Sequence, residues 1–347
     1  MTRNLRIAGA LLSIAVTAVG LLWWIIPASY PFGAHDRVTV SLSHLFEHDV
    51  GGPMAVVAGL AGLVTAFASG TALRAGAVAQ VVFFGVVMSD AGIMSLLGYA
   101  MALAGPVALA AILVLLCRRR GWPAVLALVA LGALLALVVG GTLTGLVPVG
   151  RLLLNLFADF SSYAGRVSWT LADALACGLW AAIAVAAFRT GGTPRWVRPA
   201  AVARWGRPVT IAAALCPLPY ALYRLTWLTP WPTDVGAGEL AANPGLRLQG
   251  LIIAFGALGG SVLTLGLIAR WGEVWPRWVP VLHGRPVPVR LPVIAGGLVA
   301  GACCLASPGL TVNAVEWGDL LPLLLWPYPI WGILLAAAVL AYRLRRG

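Results

Sequence analysis

Long apolar stretches run along almost the whole chain, separated by short segments that carry most of the arginine. A helix needs about 20 mainly apolar residues to cross ~30 Å of hydrocarbon at 1.5 Å per residue. The pattern therefore predicts an all-α, polytopic membrane protein with about ten transmembrane helices. The predicted spans are residues 7–27, 52–72, 75–95, 97–117, 123–146, 168–188, 209–229, 248–269, 291–311 and 320–342.

The arginines are distributed unevenly between the two sides of these spans. With the amino terminus inside, 18 of the 23 lie on the cytoplasmic side and 5 outside. Because arginine-rich loops stay in the cytoplasm during insertion, both chain ends are predicted to be cytoplasmic, which requires an even number of spans. The excess of arginine on the cytoplasmic side also explains the net charge of +12, so no nucleic-acid partner is needed to account for it.

The composition excludes an ordinary soluble protein. Hydrophobic residues make up 61% of the chain, charged residues 10%, and the mean hydropathy is +0.94. Residues 1–347 are predicted to form a single integral membrane domain, without a soluble domain, in a bacterial plasma membrane. The first apolar run exceeds the ~7–15 residues of a signal peptide and is predicted to be an uncleaved span. The five cysteines lie in or beside apolar runs, which argues against a disulfide framework.

Two basic segments share short motifs. PRWV occurs at 194–197 and 276–279, and GRPV occurs at 206–209 and 284–287. Each motif pair lies between two spans, which favours a parallel repeat of helix pairs formed by spans 6–7 and 8–9. The alternative is that arginine, proline and tryptophan are simply common in such loops. Arg277, Trp278 and Arg285 are candidates for contact with anionic lipid headgroups or with an acidic protein partner.

The second of these segments also carries a resemblance. PRWVPVLHGRPVP, together with PLPYALYRLTW at 217–227 and LLGYAMAL at 96–103, resembles a group of multi-spanning membrane proteins of unassigned activity from high-GC Gram-positive bacteria. The resemblance implies a fold family and a plasma-membrane location. It carries over no catalytic or binding residue.

Two acidic residues fall within predicted spans, where a charged side chain costs about 2.5 kcal/mol or more. Asp90, in the sequence MSDAG, is the first candidate for an ion or substrate site, at a break between two half-helices. Its alternative is a turn residue at the membrane surface. Asp173 is the second candidate, and lies about one turn inside span 6, from where its side chain would reach the outer interface.

The first outer loop contains the sequence HLFEH. His44, Glu47 and His48 match the H-x-x-E-H pattern, in which two histidines four residues apart bind zinc from one helix face. The pattern here lies in a short polar loop, so a solvated loop and a proton-sensing role remain as alternatives. No other metal and no cofactor is predicted.

Glycines four residues apart occur in spans 8 and 9. Gly256 with Gly260, and Gly297 with Gly301, match the small-xxx-small pattern of closely packed membrane helices. The pattern predicts close packing between these two spans.

Three functions are compatible with this sequence. A secondary transporter or permease is favoured slightly by ten spans, a repeat and Asp90. A membrane sensor or scaffold would couple the outer histidines and carboxylates to the basic cytoplasmic loops. A membrane enzyme acting on a lipid-linked substrate, with His44, Glu47 and His48 or Asp90 as the catalytic group, comes third, because the neighbouring spans offer no second acid, base or metal ligand. The chain has no nucleotide-binding loop, GxSxG or CxxC motif, which argues against a nucleotide-driven pump and a soluble-type catalytic domain.

Overall fold

The computed structural model describes residues 3–33, 40–118, 121–143, 164–189, 195–242, 244–277, 279 and 282–347. In these ranges the protein is helical and contains no strand, only two isolated β-bridges. The helices are α1 (Arg3–Ile25), α2 (His48–Phe67), α3 (Gly70–Val82), α4 (Gly92–Cys117), α5 (Trp122–Leu143), α6 (Ala164–Phe188), α7 (Pro199–Leu215), α8 (Leu218–Leu225), α9 (Ala237–Ala242), α10 (Pro244–Gly266), α11 (Arg290–Glu316), α12 (Leu321–Leu325) and α13 (Tyr328–Arg346).

Seven helical stretches among the described residues are long and apolar enough to span a membrane. They are Arg3–Ile25, His48–Phe67, Gly70–Val87, Ala164–Phe188, Pro199–Leu228, Arg290–Glu316 and Leu321–Arg346. The all-helical fold is therefore confirmed, and the seven apolar helices are compatible with a membrane protein. Each of the ten predicted spans also overlaps a helix, but ten membrane crossings and cytoplasmic chain ends stay predictions.

The chain divides into two compact units, Met1–Ser95 with Phe160–Val202 and Leu298–Leu323, and Leu96–Asp159 with Ala203–Gly297 and Leu324–Gly347. The first unit is built on an unusually close contact between α1 and α2. A Cβ added at Gly20 would lie 2.7 Å from the Val56 backbone nitrogen, and one at Gly59 would lie 2.7 Å from that of Thr17. Glycine is required at both positions, because the neighbouring backbone occupies the space of a side chain.

Aromatic side chains fill the first unit near the end of α1. The Trp23 ring centroid lies 5.2 Å from that of Tyr30 and 4.5 Å from that of Trp169. Phe32 completes the group, 5.6 Å from Tyr30. The rings meet edge to face, the arrangement that aromatic quadrupoles favour. The cluster fixes the start of α6, which carries Trp169, against α1.

The second unit contains the basic loop at residues 270–290. A β-bridge joins Val274 to Pro286, and the Trp275 amide donates a hydrogen bond to the Arg285 carbonyl at 3.0 Å. The end of α13 holds this loop: the Tyr342 hydroxyl donates to the Gly272 carbonyl at 3.0 Å, and Arg345 pairs with Glu273 at 3.1 Å.

The structure bears on two small motifs. GRPV at 206–209 lies within α7, whereas GRPV at 284–287 lies in the basic loop, with Gly284 at φ +74°. The two GRPV segments therefore adopt different conformations, and the repeat of helix pairs stays a prediction. A Cβ added at Gly256, Gly260, Gly297 or Gly301 meets no described atom within 4 Å. The predicted glycine packing is absent there and occurs instead between α1 and α2.

Candidate functional site

The candidate site in the first unit lies at an interruption between two helices. After α3 the chain continues as one π-helical turn, Phe83–Val87, and α4 begins only at Gly92. Such π-turns often mark functional positions in helices. Asp90 lies within the interruption and is 1% exposed. The acidic residue predicted at a break between half-helices is therefore located in a non-helical segment and buried.

Asp90 forms an ion pair with Arg166 of α6. The Arg166 Nε donates to Asp90 Oδ2 at 2.8 Å, and its NH2 group donates to Oδ1 at 2.9 Å. The arginine side chain is 8% exposed and the aspartate side chain is not exposed. This two-point contact is the geometry in which guanidinium and carboxylate bind most specifically.

Two further donors complete the surroundings of the Asp90 carboxylate. The Thr170 hydroxyl, one turn beyond Arg166, donates to Oδ2 at 2.9 Å, and the Gly92 amide donates to Oδ1 at 2.9 Å. Each carboxylate oxygen thus accepts two hydrogen bonds. The Phe32 ring stacks against the guanidinium, 5.4 Å from centroid to Cζ. Asp90 is therefore fully paired in its ionised form, which is what a buried charge requires.

A short segment that we call the strap, residues 40–47, lies against this interruption. Ser41 forms a β-bridge with Asp90, and the Ala91 amide donates to the Val40 carbonyl at 3.0 Å. The strap also touches α11. The Val40 carbonyl oxygen lies so close to Gly309 that a Cβ added there would be 2.1 Å from it. The strap therefore contributes to the burial of Asp90.

Asp173 lies on the same face of α6 as Arg166 and Thr170, at positions i, i+4 and i+7. Its residue is 2% exposed, and its Oδ1 atom is buried with no hydrogen-bond partner among the described residues. The helix begins at Ala164, earlier than the predicted start at 168. Asp173 is therefore nine residues, or about 13 Å, from that helix end. Its depth within a membrane, expected to be about one turn inside the span, stays a prediction.

The predicted zinc pattern does not form. Residues Leu42–Leu45 are a 3₁₀-helix, the chain is extended at Phe46 and Glu47, and α2 begins at His48. His44 and His48 therefore lie on separate elements and cannot share a helix face. His44 instead pairs with Glu316, Nε2 to Oε2 at 3.3 Å. The described residues contain no group of three metal-binding side chains.

The candidate contacts of the basic loop belong to the second unit. Arg277 and Arg285 are both exposed, as a role in binding lipid headgroups or a partner requires. Trp278 lies outside the described residues. Neither arginine appears in an ion pair among the described residues.

The site contains residues that the sequence did not single out. In the sequence, Arg166 belongs only to the outer arginines, and Thr170 belongs to no motif. A signal was available, because Arg166, Thr170 and Asp173 are spaced i, i+4 and i+7 within an apolar helix.

Comparison of the chain with known protein families, with curated proteins and with solved structures gives no match.

Proposed function

We propose that this protein is a secondary transporter or permease of the plasma membrane, with its binding site at the interruption before α4. The observation that supports this function is the buried Asp90–Arg166 pair, which joins the interruption before α4 to α6. Ionisable side chains within membrane helices are costly and usually serve an ion or substrate path. Interrupted helices form the binding sites of many transporters, since their free backbone groups face the solute.

The two members of the pair suit different parts of a solute. Arg166 offers a planar guanidinium with several donors, which favours a carboxylate or phosphate group. Asp90 and the carbonyl groups around the interruption favour a cation or an ammonium group. In the present state they neutralise each other, so a solute would bind by replacing one partner while leaving the other satisfied.

A membrane sensor is the second candidate, favoured by the contact between His44 and Glu316. This contact links the strap to α11, and the strap also pairs with Asp90 through Ser41. An outer signal that separated His44 from Glu316 would thus reach the buried pair directly. In this case no transported solute is expected.

The experiment that tests the transporter is thermal unfolding of the detergent-purified protein with a panel of inorganic ions, amino acids, organic acids and amines. A solute that binds only the folded state stabilises it by about 2.7 kcal/mol at a concentration of 100 Kd. We expect one chemical class to raise the Tm of the wild type and to have no effect on Asp90→Asn. The same class should then enter proteoliposomes. A panel without any stabilising solute contradicts the proposal and favours the sensor.

The exposed basic loop leads to a separate prediction about lipids. Replacing Arg277 and Arg285 together with Gln is expected to weaken binding to vesicles rich in phosphatidylglycerol, at about 1 kcal/mol per arginine. Vesicles of phosphatidylcholine alone are the control and should bind both proteins equally. Equal binding of wild type and variant to the anionic vesicles would point to an acidic protein partner or to a purely structural loop.

A further inference from the structure

The described structure contains a second carboxyl group near the ion pair, that of Asp173. The carboxyl groups of Asp90 and Asp173 differ in their hydrogen bonds. Asp90 accepts four hydrogen bonds, whereas Asp173 Oδ1 is buried and has no hydrogen-bond partner among the described residues. Both residues are at least 98% buried, at 1% and 2% exposure. A buried carboxylate without donors or a counter-ion is too costly to persist in a membrane interior. Burial therefore favours the neutral, protonated form of the Asp173 carboxyl group.

The surroundings of Asp173 favour a proton over a metal cation. Sodium and divalent ions require several oxygen ligands around one point, but the described residues place no hydrogen-bonding group on Asp173 Oδ1 and hold no cluster of three metal-binding side chains. Among the described residues, the titratable groups that interact electrostatically with Asp173 are Asp90, at the interruption, and Cys177, one turn further along α6. A thiol and an already paired carboxylate do not complete a cation site.

We propose that Asp173 is a reversible proton-binding site in the membrane interior and that its proton occupancy controls the Asp90–Arg166 pair. The inference rests on the proposed function, since it makes the proton the coupling ion of the transporter. With a proton bound, Asp173 is neutral and adds no charge next to the Asp90–Arg166 pair. When the proton leaves to water, a second negative charge lies in electrostatic range of Asp90, and repulsion between the two carboxylates disfavours the ionised Asp90 that pairs with Arg166.

The helix α6 connects Asp173 to the Asp90–Arg166 pair. Arg166, Thr170 and Asp173 are on one face, separated by one turn each. Thr170 donates to Asp90 and also lies next to Asp173 on that face. A change of charge at Asp173 therefore acts on a side chain that already bonds to Asp90, without requiring motion of a whole helix.

Infrared spectroscopy of the purified protein tests this proposal without any solute. We expect a carbonyl band of a protonated carboxyl group at neutral pH, a shift of that band within minutes in D₂O, and its reversible loss in alkali while the Tm shows an intact fold. The band should be absent from Asp173→Asn. It should persist in the matched control Asp49→Asn, because Asp49 is exposed.

Two results would overturn the proton site. One is the absence of the band from the wild type, which would mean that Asp173 is ionised. The other is a band that neither exchanges in D₂O nor titrates, which would make Asp173 a fixed structural acid. Should Asp173→Asn not fold, Asp173→Glu retains the carboxyl group and should show the band at a changed frequency. Because no solute is used, these outcomes are independent of the solute panel that tests the transporter.

Discussion

Replacing Asp90 with Asn, or Arg166 with Gln, is expected to lower the free energy of unfolding by about 3–5 kcal/mol, because either change breaks a buried ion pair that is held by two hydrogen bonds. The side chains are 0% and 8% exposed, so solvent screens their interaction little. The larger loss is expected for Arg166→Gln, since Arg166 also stacks on Phe32 and has contacts beyond Asp90.

A double-mutant cycle shows whether this loss belongs to the pair. Unfolding of the wild type, both single variants and the double variant is followed by SDS titration in mixed micelles. The double variant should lose less than the sum of the singles, because it leaves neither charge unpaired. Additive losses would mean that the two residues do not interact in the folded protein.

The second large effect is expected from adding one methyl group between α1 and α2. The Cβ in Gly59→Ala would lie 2.7 Å from the Thr17 nitrogen and 2.8 Å from the Ser13 oxygen, both of them backbone atoms. Overpacking against backbone forces the helices apart, and we expect a loss of about 2–3 kcal/mol. The measurement is the Tm and the yield of folded protein.

A matched control is available in α10. A Cβ at Gly256 meets no described atom within 4 Å, so Gly256→Ala should leave stability unchanged or raise it by up to about 1 kcal/mol through helix propensity. If Gly59→Ala and Gly256→Ala behave alike, the close approach of α1 and α2 does not limit stability.

The helices were predictable from local sequence. In lipid, backbone N–H and C=O groups must be hydrogen-bonded within their own segment, so an apolar stretch that is long enough to cross the membrane forms a helix. Asp90 was likewise visible as an acidic residue in an apolar stretch. Its partner was not, because Arg166 lies 76 residues away in the chain. The predicted span begins at residue 168 and so leaves out Arg166, whereas α6 begins at Ala164 and includes it.

Local motifs were less informative than local hydropathy. HLFEH predicts a zinc site only if the backbone is one continuous helix, and the extended residues Phe46 and Glu47 prevent that. Glycine spacing likewise indicates a helix face that tolerates close contact, but not whether another helix occupies it. Gly20 and Gly59 lie against a neighbouring backbone, and Gly256 does not. Both outcomes depend on tertiary contacts that spacing does not encode.

The strap affects the order in which the protein is assembled during synthesis. Residues 40–47 are made early, yet their contacts include Gly309 and Glu316 of α11, which emerge much later. Chains fold as they are synthesised, beginning at the amino terminus. Asp90 and Arg166 are therefore both available to pair before α11 exists. The ion pair can therefore form while the strap still lacks its contacts with α11.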